Sequence, residues 1–314
     1  MRWLRLALIS GLAAALLAGC GGRSSQNVTV IVEQGSSLKA AARALEEEGA
    51  VESASAFLRY AQLFGSSTPI KPGEYEIKAG MSDGDVLKLL QSGKTLQRLV
   101  VIPPGLPSVM VHDRLMATEL LTGEIEVPAE GSILPDSYAY TRGESRTKVL
   151  TRMQGAMTKT LAKLWEERKP TSVVNTPEEA LTLAAIVEKE TGKADERRMV
   201  AGVYSNRVRL GMKLQADPTV IYPVTKGRPL GRRILRSELD ADNGYNTYAR
   251  AGLPIGPIAN PGKASIAAVL DPEPTQALYF VADGTGGHVF ANTLPEHNAN
   301  VEKWFAIRRS RGEM

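Results

Sequence analysis

Along the chain, short apolar or alternating runs precede longer stretches in which apolar residues recur every three or four positions. "VTVIV" predicts a strand at Val28–Val32 and Gly35 a turn, followed by helices at Leu38–Glu48 and Ala54–Phe64. A strand at Tyr75–Lys78, a helix capped by Ser82 or Asp83, and a further strand in "LQRLVVIPPG" follow. Residues 107–165 read as mostly helical, broken by "PAEGSILPDSYAY", and "WEERKPTSVVNTPEEA" reads as a polar, Pro-punctuated linker. In "TPEEALTLAAIVEKETG", Thr176 and Glu179 form a capping box, Pro177 takes the first helical position, and Gly192 is the expected stop. "ADERRMVAGVYSNRVRLG" predicts an amphipathic helix with Met199, Val203, Tyr204 and Val208 inward, ending at Gly211. Beyond it lie Gly- and Pro-rich stretches, short strands in "ALYFVADG" and "GHVFAN", and a last helix from about Leu294 to Arg308.

The expected fold class is therefore α+β: a small α/β subdomain, then a mixed domain of helices and short strands. The expected divisions are 1–20, a signal or anchor; 21–27, a tether; 28–102, the small subdomain; 103–170, a helical connecting region; and 171–314, the larger domain.

One position breaks the pattern. At 100° per residue, Leu183, Ile186, Val187 and Glu190 share a narrow face, with Glu188 on nearly the opposite side. A carboxylate on an apolar face is costly unless it is paired, neutral or used in chemistry. Arg197 and Arg198 are candidate structural partners.

Composition narrows the classes. With 314 residues, 43% apolar and 23% charged, the chain is globular and long enough for two modest domains. A formal charge of +4 permits an anionic partner without demanding one. Aromatics make up 5% and no basic run interleaves with them, so no nucleic-acid platform is expected. At the start, Arg2 and Arg5 precede an apolar stretch, Leu6–Ala18, that is short for a membrane span. It reads as an export signal, with "LAGC" a lipobox that would make Cys20 the lipidation site; the alternative is an uncleaved signal anchor. Either reading puts the domain outside the cytoplasm and close to a membrane. Cys20 is the only cysteine, so there is no disulfide framework. No GxGxxG, P-loop or G-x-S-x-G sequence is present, and His112, His288 and His297 are too scattered for a metal site. No cofactor is expected.

Polar groups set in turns gather downstream of Glu190: Gln215 and Asp217 in "LQADPTVIY", Tyr245, Asn246, Thr247 and Tyr248 in "GYNTYARAGLPIGPIANPG", and His288, Asn292, His297 and Asn298 in "GGHVFANTLPEHN". Amides, hydroxyls and flat rings held in rigid turns suit a sugar-binding groove. A single carboxylic acid of raised pKa above such a groove suits glycosidic-bond chemistry. His297 could equally cap the final helix, and Asp217 before Pro218 is also an ordinary turn placement.

These same blocks, "LAAIVEKET", "VYSNRVRLGMKLQADPTVIY", "YNTYARAGLPIGPIANPG" and "YFVADGTGGHVFANTLPEHN", resemble the endolytic murein transglycosylase (YceG-like) family over most of residues 178–304. The upstream layout resembles that family's LysM-like subdomain more weakly. The resemblance implies that Glu190, the second glutamate of "EKE", is the catalytic acid/base and that Glu188 lends polar support from the outward side. It implies cleavage of the β-1,4 bond between N-acetylmuramic acid and N-acetylglucosamine, leaving 1,6-anhydro ends on strands cut as they are made. Gln215, Asp217, Tyr245, Asn246, Tyr248, His288 and Asn298 are the expected sugar contacts. A peptidoglycan synthase partner and a site on the inner membrane facing the periplasm are implied as well. Two departures stand out: a short apolar segment with a lipobox in place of a full transmembrane anchor, and altered "PPGLP" and "EGSILPDSY" elements. Two rivals stay open, a muramidase that uses water with Asp217 as second carboxylate, and a non-catalytic glycan-binding scaffold.

Overall fold

The computed structural model describes Ser25–Glu313; the lipobox, Cys20 and the N-terminal apolar run lie outside the described residues. The chain divides into two compact units, one ending at Arg98 and the other beginning at Leu99.

In the first unit, β1 (Val28–Val32) and β2 (Gly73–Ile77) pair antiparallel with Val30 opposite Tyr75. Helices α1 (Leu38–Glu47), α2 (Ala54–Phe64) and α3 (Asp83–Ser92) complete it. Each begins on a serine hydroxyl, Ser37, Ser53 or Ser82, that accepts a backbone N–H of the first turn. The inward sides of the strands meet the helices in a core of Val30, Val32, Leu45, Phe57, Tyr75 and Leu90. Tyr75 is fully buried and satisfies its hydroxyl on the Lys71 carbonyl at 2.6 Å.

The second unit holds β3 (Arg98–Val101, all but its first residue) paired with β4 (Ser137–Tyr140), helices α4 (Ser108–Ala117) and α5 (Arg146–Glu166), and a helical core. That core is built on α6 (Pro177–Glu190), packed against α5, α7 (Arg197–Arg209) and α10 (Lys263–Leu270). Helices α8 (Asp217–Thr225) and α9 (Arg236–Asp240) lie between α7 and α10 in sequence. The chain closes with the antiparallel pair β5 (Tyr279–Ala282) and β6 (His288–Ala291), then α11 (Leu294–Ser310). The mixture of helices and small two-stranded sheets is an α+β fold. Among the described residues no helix is long and apolar enough to cross a membrane.

Three local expectations need correcting. Gly192 is not a left-handed stop: α6 ends at Thr191, in extended conformation (φ −135°, ψ 130°), with its hydroxyl accepting the Lys193 N–H at 3.1 Å. The capping box is half made, because Glu179 reaches back to the Asn175 N–H at 2.7 Å while Thr176 accepts from Glu179 at 3.2 Å. The stretch read as a linker is docked. Val174 is buried, Ser172 bonds the Val269 carbonyl, and Lys169 bonds that of Leu270, so the segment lies along α10 within the unit.

Candidate active site

Helix α6 is more deeply buried than its sequence pattern suggests. Ala180 and every residue from Thr182 to Val187 are inside, on all faces, so a single apolar stripe is not what distinguishes Glu190. The helix leaves the core at its last turn, and there the Glu190 side chain enters a cavity of about 330 Å³.

Tyr204 and Arg207, one turn apart on α7, form one wall. Tyr204 is buried, sets its ring edge-on to Phe280 at 5.8 Å, and hydrogen-bonds to the Glu190 carboxyl through its hydroxyl. Arg207 is held as a fixed cation: Nε donates to the Leu278 carbonyl at 2.7 Å and Nη1 to that of Leu214 at 2.8 Å. It makes no ion pair with a carboxylate among the described residues, so its charge falls on the cavity.

The opposite wall comes from the turn into α8. Gln215 sits at φ 52°, a conformation unusual for a residue with a side chain, and its amide lines the cavity beside Asp217. Thr219 and Thr247 fix that turn. Their hydroxyls lie 2.8 Å apart, and Ala216 N–H donates to Thr247 Oγ1 at 3.0 Å. The same arrangement brings in Tyr248, whose hydroxyl donates to Asp217 Oδ1 at 2.6 Å. His297, from the first turns of α11, closes the rim; it stacks on Tyr279 at 5.2 Å and has its Nδ1 buried without a hydrogen-bond partner among the described residues.

The electrostatics separate the groups. Burial pushes the Glu190 carboxyl up to about 7; the Tyr204 hydrogen bond opposes the rise, the Asp217 charge adds to it, and Arg207 pulls it down. Burial, then Arg207, lowers His297 below the ordinary histidine value and favours its neutral form. Near neutral pH, Glu190 is thus able both to give a proton and to take one back.

The expected arginine partners of Glu190 lie elsewhere. Arg197 faces Glu188 at 3.8 Å, and Arg198 pairs with Asp271 and Glu273. Glu188 does point away from Glu190, but not into solvent: its side chain is 5% exposed and accepts the Gly262 N–H at 2.8 Å. Its support is structural, tying the end of α6 to the start of α10.

Of the expected sugar contacts, Gln215, Asp217 and Tyr248 line the cavity and the others do not. Tyr245 packs its ring 4.9 Å from that of Tyr222. Asn246 is buried, and its amide caps the carbonyls of Glu238, Leu239 and Ala241 at the end of α9 while its oxygen accepts the Tyr248 N–H. It shapes the turn that delivers Tyr248. His288 bonds Glu196 at 2.8 Å and meets Phe280 edge-on, one ring removed from the cavity. Asn298 is exposed on α11, and its neighbour His297 takes the cavity-facing place. Tyr204 and Arg207 were legible only as core and helix surface. Their i, i+3 spacing on the helix after "EKE" is the one signal that could have joined them.

The YceG-like family model matches residues 30–303. A Bacillus subtilis protein named endolytic murein transglycosylase is 27% identical over 92% of this chain and 88% of its own length. A Streptococcus pneumoniae protein of the same name is 29% identical over 88% of this chain, which spans 58% of that relative. Among solved structures, a YceG-like protein from Listeria monocytogenes is 30% identical with a TM-score of 0.57, covering 88% of this chain and 99% of the other. With its cavity-facing glutamate at the end of a buried helix and a family match running nearly from end to end, the chain belongs to the YceG-like family.

Proposed function

We propose that this protein is a lyase, a peptidoglycan lytic transglycosylase that cuts inside glycan strands. The observation that carries the reading is the state of Glu190: a buried carboxyl group, pushed to about 7, facing a solvent-connected cavity with Tyr204, Arg207 and Asp217 around it. The bond cut is the β-1,4 link from N-acetylmuramic acid to N-acetylglucosamine. Glu190 gives its proton to the bridging oxygen as the C1–O bond breaks. The C6 hydroxyl of the same muramyl residue then attacks C1 and passes its proton to the Glu190 carboxylate. The enzyme returns to its starting state, and the strand ends in a 1,6-anhydro ring. No catalytic water is consumed, so one carboxyl group serves twice. The Asp217 carboxylate, fixed by Tyr248, offsets positive charge developing at C1, and Gln215 offers its amide to the acetamido group.

The water-using muramidase remains the second reading, because Asp217 supplies a second carboxylate in the same cavity. The first unit, with its β–α–α–β order, supports a LysM-like glycan-binding role. We also propose that the protein works on the outer face of the cytoplasmic membrane, held through a lipid on Cys20 or, as the alternative, through an uncleaved N-terminal anchor. There it would act on nascent strands beside a peptidoglycan synthase and end their elongation.

Digestion of purified peptidoglycan by the full chain, beside Glu190→Gln, tests the assignment by mass spectrometry. Anhydro ends made only by the unmodified protein support the transglycosylase. Hydrated reducing ends point to the muramidase. Binding without any cleavage leaves a scaffold.

A further inference from the structure

A second cavity, of about 390 Å³, opens in the same unit on elements that also build the catalytic one. Lys189, adjacent to Glu190, and Pro218, adjacent to Asp217, are on its lining. Most of the rest is apolar: Leu106 and Pro107 just before α4, Met110 on it, and Ile221 on α8, among others. On its lining, Gly227 and Pro107 pack so closely that position 227 admits no side chain. Gly227, at φ +84°, lies so close to Pro107 that an added Cβ would stand 2.6 Å from the proline ring.

Its chemistry does not suit a sugar. A pyranose ring presents hydroxyls in several directions, and a wall of Pro, Leu, Met and Ile would leave them unpaired. The Tyr222 hydroxyl is already engaged with Glu130 and Tyr245. Two cations border the apolar wall. Arg228 is paired with Asp113 at 2.6 Å. Lys189 has no hydrogen-bond or ion-pair partner among the described residues; its aliphatic stem lies against Gly105, where an added Cβ would meet Cδ at 3.5 Å. Alkyl side chains and a carboxylate are what this combination fits.

In peptidoglycan those groups occur together on the peptide stem, which branches from the muramyl residue at the bond being cut. Resting on the assignment of the catalytic cavity to glycan cleavage, we propose that the second cavity receives this stem, with apolar side chains against Ile221 and Pro107 and a stem carboxylate on Lys189 Nζ. The enzyme would then select strands by their peptides as well as by their sugars, and Lys189 would be a specificity-determining residue.

Binding of uncrosslinked strands, with stems or stripped of them by an amidase, is measured on the full-length Glu190→Gln protein, so the result does not depend on cleavage. Stem-bearing strands should bind at least fivefold more tightly. Adding Lys189→Ala should remove most of that difference, Lys189→Arg should retain it, and Ile221→Ser should reduce it with the protein still folded by circular dichroism. Equal affinities for the two strands, or a difference that survives both Lys189→Ala and Ile221→Ser, overturn the proposal. A stem preference in a protein whose unmodified form cuts neither strand would overturn the transglycosylase reading alone.

Discussion

The Tyr248 hydroxyl donates to Asp217 at 2.6 Å, so the second carboxylate of the cavity is fixed by a residue 31 positions downstream. A charge-assisted hydrogen bond of this kind contributes on the order of 1.5–3 kcal/mol. Tyr248→Phe should lower kcat roughly tenfold, leaving KM within about threefold, because the ring that lines the cavity is kept. Steady-state kinetics on soluble strands would show it; a rise in KM with unchanged kcat would instead make Tyr248 a sugar contact only.

Glu190 must be protonated to begin the reaction, and its carboxyl sits at about 7. Activity should therefore be level at moderately acidic pH and fall above neutrality, approaching tenfold per pH unit. Two neighbours act on this limb with opposite sign. Asp217 raises the Glu190 value, so Asp217→Asn should move the fall in activity to lower pH; Arg207 lowers it, so Arg207→Gln should move it to higher pH. Initial rates across pH for the three proteins decide the matter, and a limb that stays in place in both variants would assign it to another group.

Stability carries a matching signature. The Glu190 carboxyl titrates at 4.5 when unfolded and at about 7 when folded, so across that interval the native state holds the extra proton. The unfolded chain binds fewer protons, the slope of unfolding free energy against pH is negative, and stability declines as pH rises toward 7. Glu190→Gln removes the group. The variant should match the unmodified protein near pH 4.5 and exceed it at pH 8 by about 1–3 kcal/mol, since each tenfold change in proton affinity on folding corresponds to about 1.4 kcal/mol. Urea midpoints at the two pH values measure this, and a variant that is less stable at pH 8 would contradict the buried-acid picture.

Much of this arrangement could be read in advance, for identifiable reasons. Helix starts at Ser82 and Thr176 follow local hydrogen-bond chemistry, and strands β5 and β6 follow short apolar runs set among Gly- and Pro-rich stretches. Glu190, Asp217, Gln215 and Tyr248 stood out because polar side chains in apolar or turn contexts need a reason. Asn246 satisfied the same criterion and turned out to be a buried cap for α9, since an amide that serves backbone carbonyls looks no different in sequence from one that serves a ligand. Arg207 shows the converse limit. Its guanidinium is fixed by the carbonyls of Leu214 and Leu278, one of them 71 residues away, and no periodicity within α7 reports that tertiary contact.

Glu188 gives the last prediction. Its buried carboxylate accepts the Gly262 N–H at 2.8 Å and faces Arg197, whose Nε is buried with no hydrogen-bond partner among the described residues. Glu188→Ala leaves an unpaired N–H and a poorly compensated cation, which together cost about 2–4 kcal/mol. Glu188→Gln keeps an acceptor for Gly262 while discarding the charge, so it should cost less, about 1–2 kcal/mol. Both variants leave the groups that line the catalytic cavity in place, so the pH at which activity falls should not move in either. Urea midpoints read with the pH–rate profile separate the two roles. Two folded variants of ordinary stability, with a displaced alkaline limb, would show Glu188 acting on the proton of Glu190 instead of holding α6 to α10.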